Sequence, residues 1–159
     1  MSQPEHSHWP DLAGRIITDP SGRRRHVLPI RVYFEDTDFS GVVYHASYLR
    51  WCERGRSDFL RLVGNDHRSL MSSSHREPAA FVVRRMQLEF LKPARIDDIL
   101  EVATSVKATA AAALTLDQRI GRGGSELFSA EVMVVLVSRS GKPQRLDAAL
   151  RDALQDARI

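Results

Sequence analysis

One cysteine, Cys52, among 159 residues leaves no intrachain disulfide to form, which suits a reducing compartment. No apolar run approaches the roughly 20 residues that a membrane-spanning helix requires. The opening Met1-Ser-Gln-Pro-Glu-His-Ser-His8 has no basic start leading into an apolar stretch, so it is not read as a secretory signal. The expected location is the cytoplasm. Charge of one sign is not concentrated either. The formal net charge is +3 with a pI near 9.4, Arg23-Arg24-Arg25 is the only basic triplet, and Arg84-Arg85 is the next cluster. Scattered arginines describe a solvated surface, and no nucleic-acid partner is expected. A mildly basic surface also suits a small phosphorylated ligand.

What is present is ordinary globular composition, 43% hydrophobic and 27% charged, in a length that suits one domain with a real core. Residues 1–12 are polar and aperiodic, a loose terminus. Gly14 to Thr18 and His26 to Phe34 flank Asp19-Pro-Ser-Gly22, a turn sequence, which predicts a hairpin. Ile30, Val32 and Phe34 alternate with Arg31, Tyr33 and Glu35, as in a strand buried on one face. Pro29 predicts that this strand is an edge, or bulged there. Residues 1–25 are read as an N-terminal extension and 26–159 as one domain.

From Ala46 to about Val63 the period changes to three and four. Tyr48, Cys52, Gly55, Phe59 and Leu62 or Val63 form one helical stripe, and Arg50, Glu53, Arg54, Arg56, Asp58 and Arg61 fill most of the remainder. Glycine in a helix costs about 1 kcal/mol against alanine, so Gly55 predicts close approach to a sheet. Gly64-Asn65 stops the helix, and a short second helix is read at Ser69-Leu70-Met71. Four strands follow, over 79–90, 99–106, 113–120 and 126–137, with alanine-rich 108–113 kept as strand. Short connections favour an antiparallel meander, and a C-terminal helix runs from Leu146 to Ala157. An α+β fold results, with a curved antiparallel sheet wrapped around one long helix.

Arg31-Val-Tyr-Phe-Glu-Asp-Thr-Asp-Phe-Ser-Gly-Val-Val-Tyr-His-Ala-Ser-Tyr48 carries the chemistry. Glu35, Asp36 and Asp38 repel one another where strand gives way to helix. A calcium loop starting at Asp36 would place Ser47 where a bidentate glutamate is required, so no metal is expected. An aspartyl-phosphate phosphatase would need alternating strands and helices, which are missing. Turn and N-cap duty is an adequate account of Asp36 alone. Asp38 with Gly41 and His45 is harder to explain so. The helix start offers unpaired N–H groups and a positive dipole end that can polarise a carbonyl oxygen. A neighbouring carboxylate can then attack the carbon or activate water. Tyr44 and Tyr48 are read as packing groups, Tyr44 with the option of walling a pocket. Cys52 is read as core, and Ser40 and Ser47 lack a histidine–acid relay.

The run Tyr33 to Tyr48, continued by Glu53 to Arg61 and Val82 to Leu100, resembles the hotdog-fold acyl-CoA thioesterases of the 4-hydroxybenzoyl-CoA thioesterase-like group. It is most similar to the Tol–Pal-associated subfamily of Gram-negative bacteria. The resemblance covers about residues 27–140. It implies a helix wrapped by a five-stranded antiparallel sheet, here with an N-terminal hairpin extension and a C-terminal helix. It also implies edge-to-edge homodimers or homotetramers with active sites at the dimer interface. Asp38 matches the family's catalytic carboxylate, His45 its histidine, and the N–H near Tyr44–His45 the donor to the thioester carbonyl. Asp36 matches the first aspartate, taken as structural.

Some relatives bind the coenzyme A nucleotide with basic residues on the strand that here reads Lys107-Ala-Thr-Ala-Ala-Ala-Ala-Leu114, where only Lys107 is basic, so those contacts do not carry over. Lys92 and Arg95, with Arg122, are candidate substitutes, and Tyr44 a candidate substrate contact. The expected function is acyl-CoA hydrolysis without metal or other cofactor, with acyl-CoA as substrate and acyl carrier protein as a further candidate partner. The alternatives are a non-catalytic acyl-CoA or acyl-carrier-protein binding module and a hotdog enoyl-CoA hydratase, although the latter's Asn-Pro motif is missing.

Overall fold

The computed structural model describes residues 13–63, 70 and 77–155. Strands β1 (Arg15–Thr18) and β2 (Arg24–Arg31) come first, then a 3-10 turn (Phe34–Asp36) and helix α1 (His45–Leu62). Strands β3 (Ala79–Phe90), β4 (Ile99–Thr109), β5 (Ala113–Arg122) and β6 (Ser125–Ser138) follow, and helix α2 (Ala148–Gln155) closes the order. All six strands join one sheet in the order β1-β2-β4-β5-β6-β3, with antiparallel pairing throughout. The predicted hairpin is β1–β2, and its first arm adds a sixth strand to the five expected.

Four readings need correction. β2 is an inner strand between β1 and β4. However, β1 reaches only as far as the Arg15↔Val27 pair, so Pro29 faces β4 alone, opposite Glu101. A residue without an N–H to donate is tolerated where the second neighbour has stopped. Phe34 does not extend the strand. The Asp36 carboxylate accepts the Tyr33 N–H at 2.9 Å and folds the chain into the 3-10 turn, leaving Phe34 81% exposed. The meander covers only β4-β5-β6, because β3 pairs with β6 at the far edge. Residues 91–98 therefore return across the end of the sheet to β4, with the Leu91 and Lys92 N–H groups donating to the Leu127 carbonyl. Residues 110–112 form the β4–β5 turn rather than strand, with Ala110 N–H donating to Ala113 O at 2.8 Å.

Helix α1 buries Ser47, Tyr48, Trp51, Cys52, Gly55, Phe59 and Leu60. The expected stripe is there, with Val63 rather than exposed Leu62 packed on the core at its end, and Trp51 and Leu60 join it. Gly55 is explained as expected. A Cβ there would stand 2.9 Å from Val102 Cγ1 and 3.1 Å from Thr104 Oγ1, so only glycine lets α1 lie this close to β4. Fully buried Gln118 of β5 uses that closeness. Its Nε2 donates to the Cys52 carbonyl and to Thr104 Oγ1, each at 2.9 Å.

Helix α2 is started by Asp147, whose Oδ1 accepts the Leu150 N–H at 2.6 Å. It sends Leu150 and Leu154 into the same core as α1. The predicted loose terminus at 1–12, the helix stop at Gly64-Asn65, all of the short second helix but Leu70, and the end of the C-terminal helix at 156–157 lie outside the described residues.

Candidate active site

The acidic run folds into two successive turns, each closed by one of its own carboxylates. Asp36 serves the first, and its backbone carbonyl also accepts the Tyr44 N–H at 2.8 Å. Asp38 closes the second. Its N–H donates to Val42 O and its carbonyl accepts the Gly41 N–H, both at 3.0 Å. Gly41 sits at φ +78°, a left-handed conformation that glycine adopts without strain. Asp38 Oδ1 accepts the Ser40 N–H at 2.8 Å and the Ser40 hydroxyl. The Ser40 hydroxyl, then its N–H, and more weakly the nearby His45 hold the exposed Asp38 carboxyl below the usual carboxylate range. Asp38 is thus an ionised carboxylate whose second oxygen has no partner among the described residues.

The helix start faces the same space. Tyr44 caps α1 by backbone alone, without a side-chain hydrogen bond. Its N–H is already given to Asp36, and the Ser47 N–H donates to Tyr44 O at 2.9 Å. The His45 and Ala46 N–H groups, first in the helix, are left without backbone acceptors. The predicted carbonyl-polarising donor near Tyr44–His45 therefore narrows to His45 and Ala46.

A cleft of about 370 Å³ opens here, with Asp38, His45, Tyr48, Phe90, Leu91 and Lys92 in its wall. The loop at 91–98 is tied to the helix start from below. The Ala94 N–H donates to the Tyr48 hydroxyl at 3.0 Å, and the Ala94 carbonyl accepts the Val43 N–H at 2.9 Å. The half-exposed Phe90 ring stands edge-on to the His45 ring at 6.3 Å and to Tyr48 at 5.6 Å. Of the sequence-predicted residues, Asp38, His45 and Lys92 come together in this wall. Lys92 Nζ donates to Ser125 Oγ at 2.9 Å. Tyr44 lies outside the wall with its ring on His45 at 4.4 Å. Arg95 is exposed on the same loop, and its N–H donates to the Asp98 carboxylate at 2.8 Å. Arg122 is paired with Asp98. Cys52 is buried, which pushes its thiol up to about 12, so it offers no thiolate.

Sequence reasoning missed the apolar walls, Phe90 and Leu91, since a strand end and a loop reveal neighbours only once folded. It also missed two polar links made by α1 residues read as surface. Arg56 Nη1 donates to Gln118 Oε1 at 2.9 Å, and Asp58 Oδ2 meets fully buried His26 Nε2 at 2.7 Å. Among the described residues no three His, Cys, Asp or Glu side chains group as a metal site. No described helix is long and apolar enough to cross a membrane.

The comparisons with known proteins agree with this architecture. The profile of the Thioesterase-like superfamily matches residues 32–154. The acyl-CoA thioester hydrolase YbgC of Escherichia coli O157:H7 is 46% identical over 110 residues, covering 69% of this chain and 79% of that protein. The acyl-CoA thioesterase YbgC of Haemophilus influenzae is 38% identical over the same shares. The crystal structure of a probable thioesterase from Bartonella henselae superposes with a TM-score of 0.75 at 45% identity, over 77% of this chain and 99% of that one. By fold, by site-bearing segment and by sequence, this chain belongs to the Thioesterase-like superfamily, with the hotdog architecture.

Proposed function

We propose that this enzyme hydrolyses acyl-CoA thioesters to a free acid and coenzyme A, with Asp38 as the reacting carboxylate. The observation that supports it is the shared cleft wall of Asp38 and the α1 start at His45. A thioester whose carbonyl oxygen points at the His45 N–H would have its carbon exposed to the free Asp38 oxygen. Negative charge growing on the carbonyl oxygen would meet fixed donors at the positive helix end. Asp38 either attacks the carbon to form a mixed anhydride, which water then cleaves to free the acid and restore the carboxylate, or takes a proton from attacking water. In both routes the C–S bond breaks and the departing thiolate takes up a proton. The His45 imidazole orients the thioester or passes that proton. Lys92, with Arg95 and Tyr44 farther out, is the proposed contact for the coenzyme A portion, and no metal or redox cofactor enters the reaction. Acyl carrier protein is a second proposed thioester carrier.

We also propose that the chain works in the cytoplasm as a homodimer or homotetramer. Among the described residues the edge strand β3 has no neighbour beyond it, and Val82, Val83 and Phe90 along it are half-exposed. A second copy on that edge would shield them and close the cleft beside Phe90. The purified enzyme is expected to release free thiol from acyl-CoA across a panel of short, long and aromatic acyl groups. Asp38→Asn should lower the rate at least a hundredfold with an unchanged circular dichroism spectrum. Full activity in that variant overturns the assignment.

A further inference from the structure

Arg122 is a candidate contact for the coenzyme A nucleotide by sequence, yet in the fold its guanidinium is given to the Asp98 carboxylate. We infer that Arg122 is a positioning residue: through Asp98 it holds the loop at 91–98, and with that loop the carbonyl-polarising start of α1, in place for the reaction. The inference rests on the thioester hydrolysis proposed above and adds to it a residue outside the cleft wall.

The relay begins at one carboxylate oxygen. Asp98 Oδ2 accepts both an Arg122 Nη1–H and the Arg95 N–H, the latter at 2.8 Å. The Arg95 carbonyl accepts the Asp98 N–H at 3.2 Å in return, so residues 95–98 close into one turn. Inside it Asp97 sits at φ +67°, the one non-glycine residue in the left-handed region among those described. Such a conformation persists where the surrounding bonds impose it. Beside the turn, fully buried Ala94 gives its N–H to the Tyr48 hydroxyl at 3.0 Å and accepts the Val43 N–H at 2.9 Å. Val43 stands two residues before His45, the proposed donor to the thioester carbonyl. A shift of the turn is therefore passed through Ala94 and Val43 to that donor.

Arg122 is placed to act as the clamp. It ends β5 and pairs with Ser125 across the Gly123-Gly124 turn. Ser125 Oγ accepts Lys92 Nζ at 2.9 Å, so the same hairpin end grips the loop at two points, Lys92 and Asp98. A Lys92 that reaches for a coenzyme A phosphate gives up Ser125, and of the two grips Arg122 on Asp98 then remains. The Asp98 side chain is 20% exposed and that of Arg122 42%. A phosphate would have to take Arg122 from a carboxylate that is mostly sheltered from water, which argues against a nucleotide contact. An ion pair this exposed contributes little to global stability. Turnover is the more sensitive readout, because fixed donors act only when held within about 0.5 Å of the productive geometry.

The test compares Arg122→Gln, Arg122→Lys and Asp98→Asn on two substrates, an acyl-CoA and the pantetheine thioester of the same acid, which carries no nucleotide. Arg122→Gln is expected to lower kcat about fivefold on both, the most that a half-exposed ion pair supports, with KM within twofold. Arg122→Lys, which keeps a cation beside Asp98, should restore at least half of kcat. Combining Arg122→Gln with Asp98→Asn should be no slower than Asp98→Asn alone. A rise in KM confined to the acyl-CoA overturns the inference, by making Arg122 a nucleotide contact. Unchanged kcat in Arg122→Gln, no rescue by lysine, or additive losses in the double variant overturn it too. Amide hydrogen exchange gives a readout that needs no turnover. The Val43 and Ala94 N–H groups should exchange about threefold faster or more in Arg122→Gln, while those of β6 keep their rates. Unchanged exchange at Val43 and Ala94 overturns the inference. A chain that releases no thiol from any acyl-CoA fails the hydrolase reading instead, and exchange still decides the positioning.

Discussion

Gln118 on β5 donates its side-chain N–H to the Cys52 carbonyl on α1 at 2.9 Å, a direct polar bond between the middle of the sheet and the inside of the helix. It forms because Gly55, one turn further along α1, brings no Cβ between them. A Cβ there would lie 3.4 Å from Gln118 Nε2.

Gly55→Ala should therefore destabilise the fold, although alanine is the better helix former by about 1 kcal/mol. The added methyl meets Val102 Cγ1 at 2.9 Å, and overpacking of this kind costs about 1–3 kcal/mol. A net loss of up to roughly 2 kcal/mol is expected from urea unfolding. A more stable variant would contradict the close-approach argument.

Tyr48→Phe removes the one acceptor that the buried Ala94 N–H has among the described residues, while keeping the ring that stacks on Phe128. An orphaned buried donor costs about 1–3 kcal/mol. Because Ala94 also holds Val43 just before α1, thiol release from acyl-CoA should fall as well. An unchanged denaturation midpoint would show that water replaces the hydroxyl.

His26 gives stability a pH dependence. It is fully buried, and burial pulls its imidazole below the usual value near 6.5, more strongly than Asp58 lifts it. Nε2 is satisfied by Asp58 while buried Nδ1 has no partner among the described residues, so protonation would bury an unpaired N–H. A folded-state value below the unfolded one means the unfolded chain binds the proton first. Stability is then full above about pH 6.5 and is lost as pH falls through that value. Asp58 acts in the same sense at lower pH. Its burial raises its carboxyl, but the Arg61 guanidinium and His26 outweigh this and hold it low. Melting temperatures from pH 8 to 5 should fall below about pH 6.5 in the native chain. The fall should be shallower in His26→Gln, and parallel curves would dismiss His26 as the cause.

Ser40→Ala removes the hydroxyl that contributes most to lowering Asp38. With Asp38 as the reacting carboxylate, the acid limb of the kcat/KM profile should move to higher pH. A shift of the limb without Ser40 and none in a distant serine variant would tie the profile to Asp38. An unmoved limb would assign it elsewhere.

Dilution tests whether a second copy completes the cleft. Specific activity should fall as the chain is diluted, in step with dissociation of the dimer seen by sedimentation. Constant activity through that transition would make the single chain sufficient.

The sequence by itself determined the strands over 79–90 and most of the rest, the extent of α1, and the reason for Gly55. These follow from side-chain period and backbone sterics, which act within a few residues. It also singled out Asp38, Gly41 and His45, because their spacing places them in one turn at one helix start. Tertiary structure alone decided that β3 crosses to the far edge beside β6, because strand order depends on which faces bury together. Only the folded chain brings Phe90 to His45, Gln118 to Arg56 and His26 to Asp58, pairs separated by 32 residues or more. Such partners share no local pattern. They meet because the sheet and α1 bury one common core, and what each polar group then costs or contributes depends on the water that core excludes.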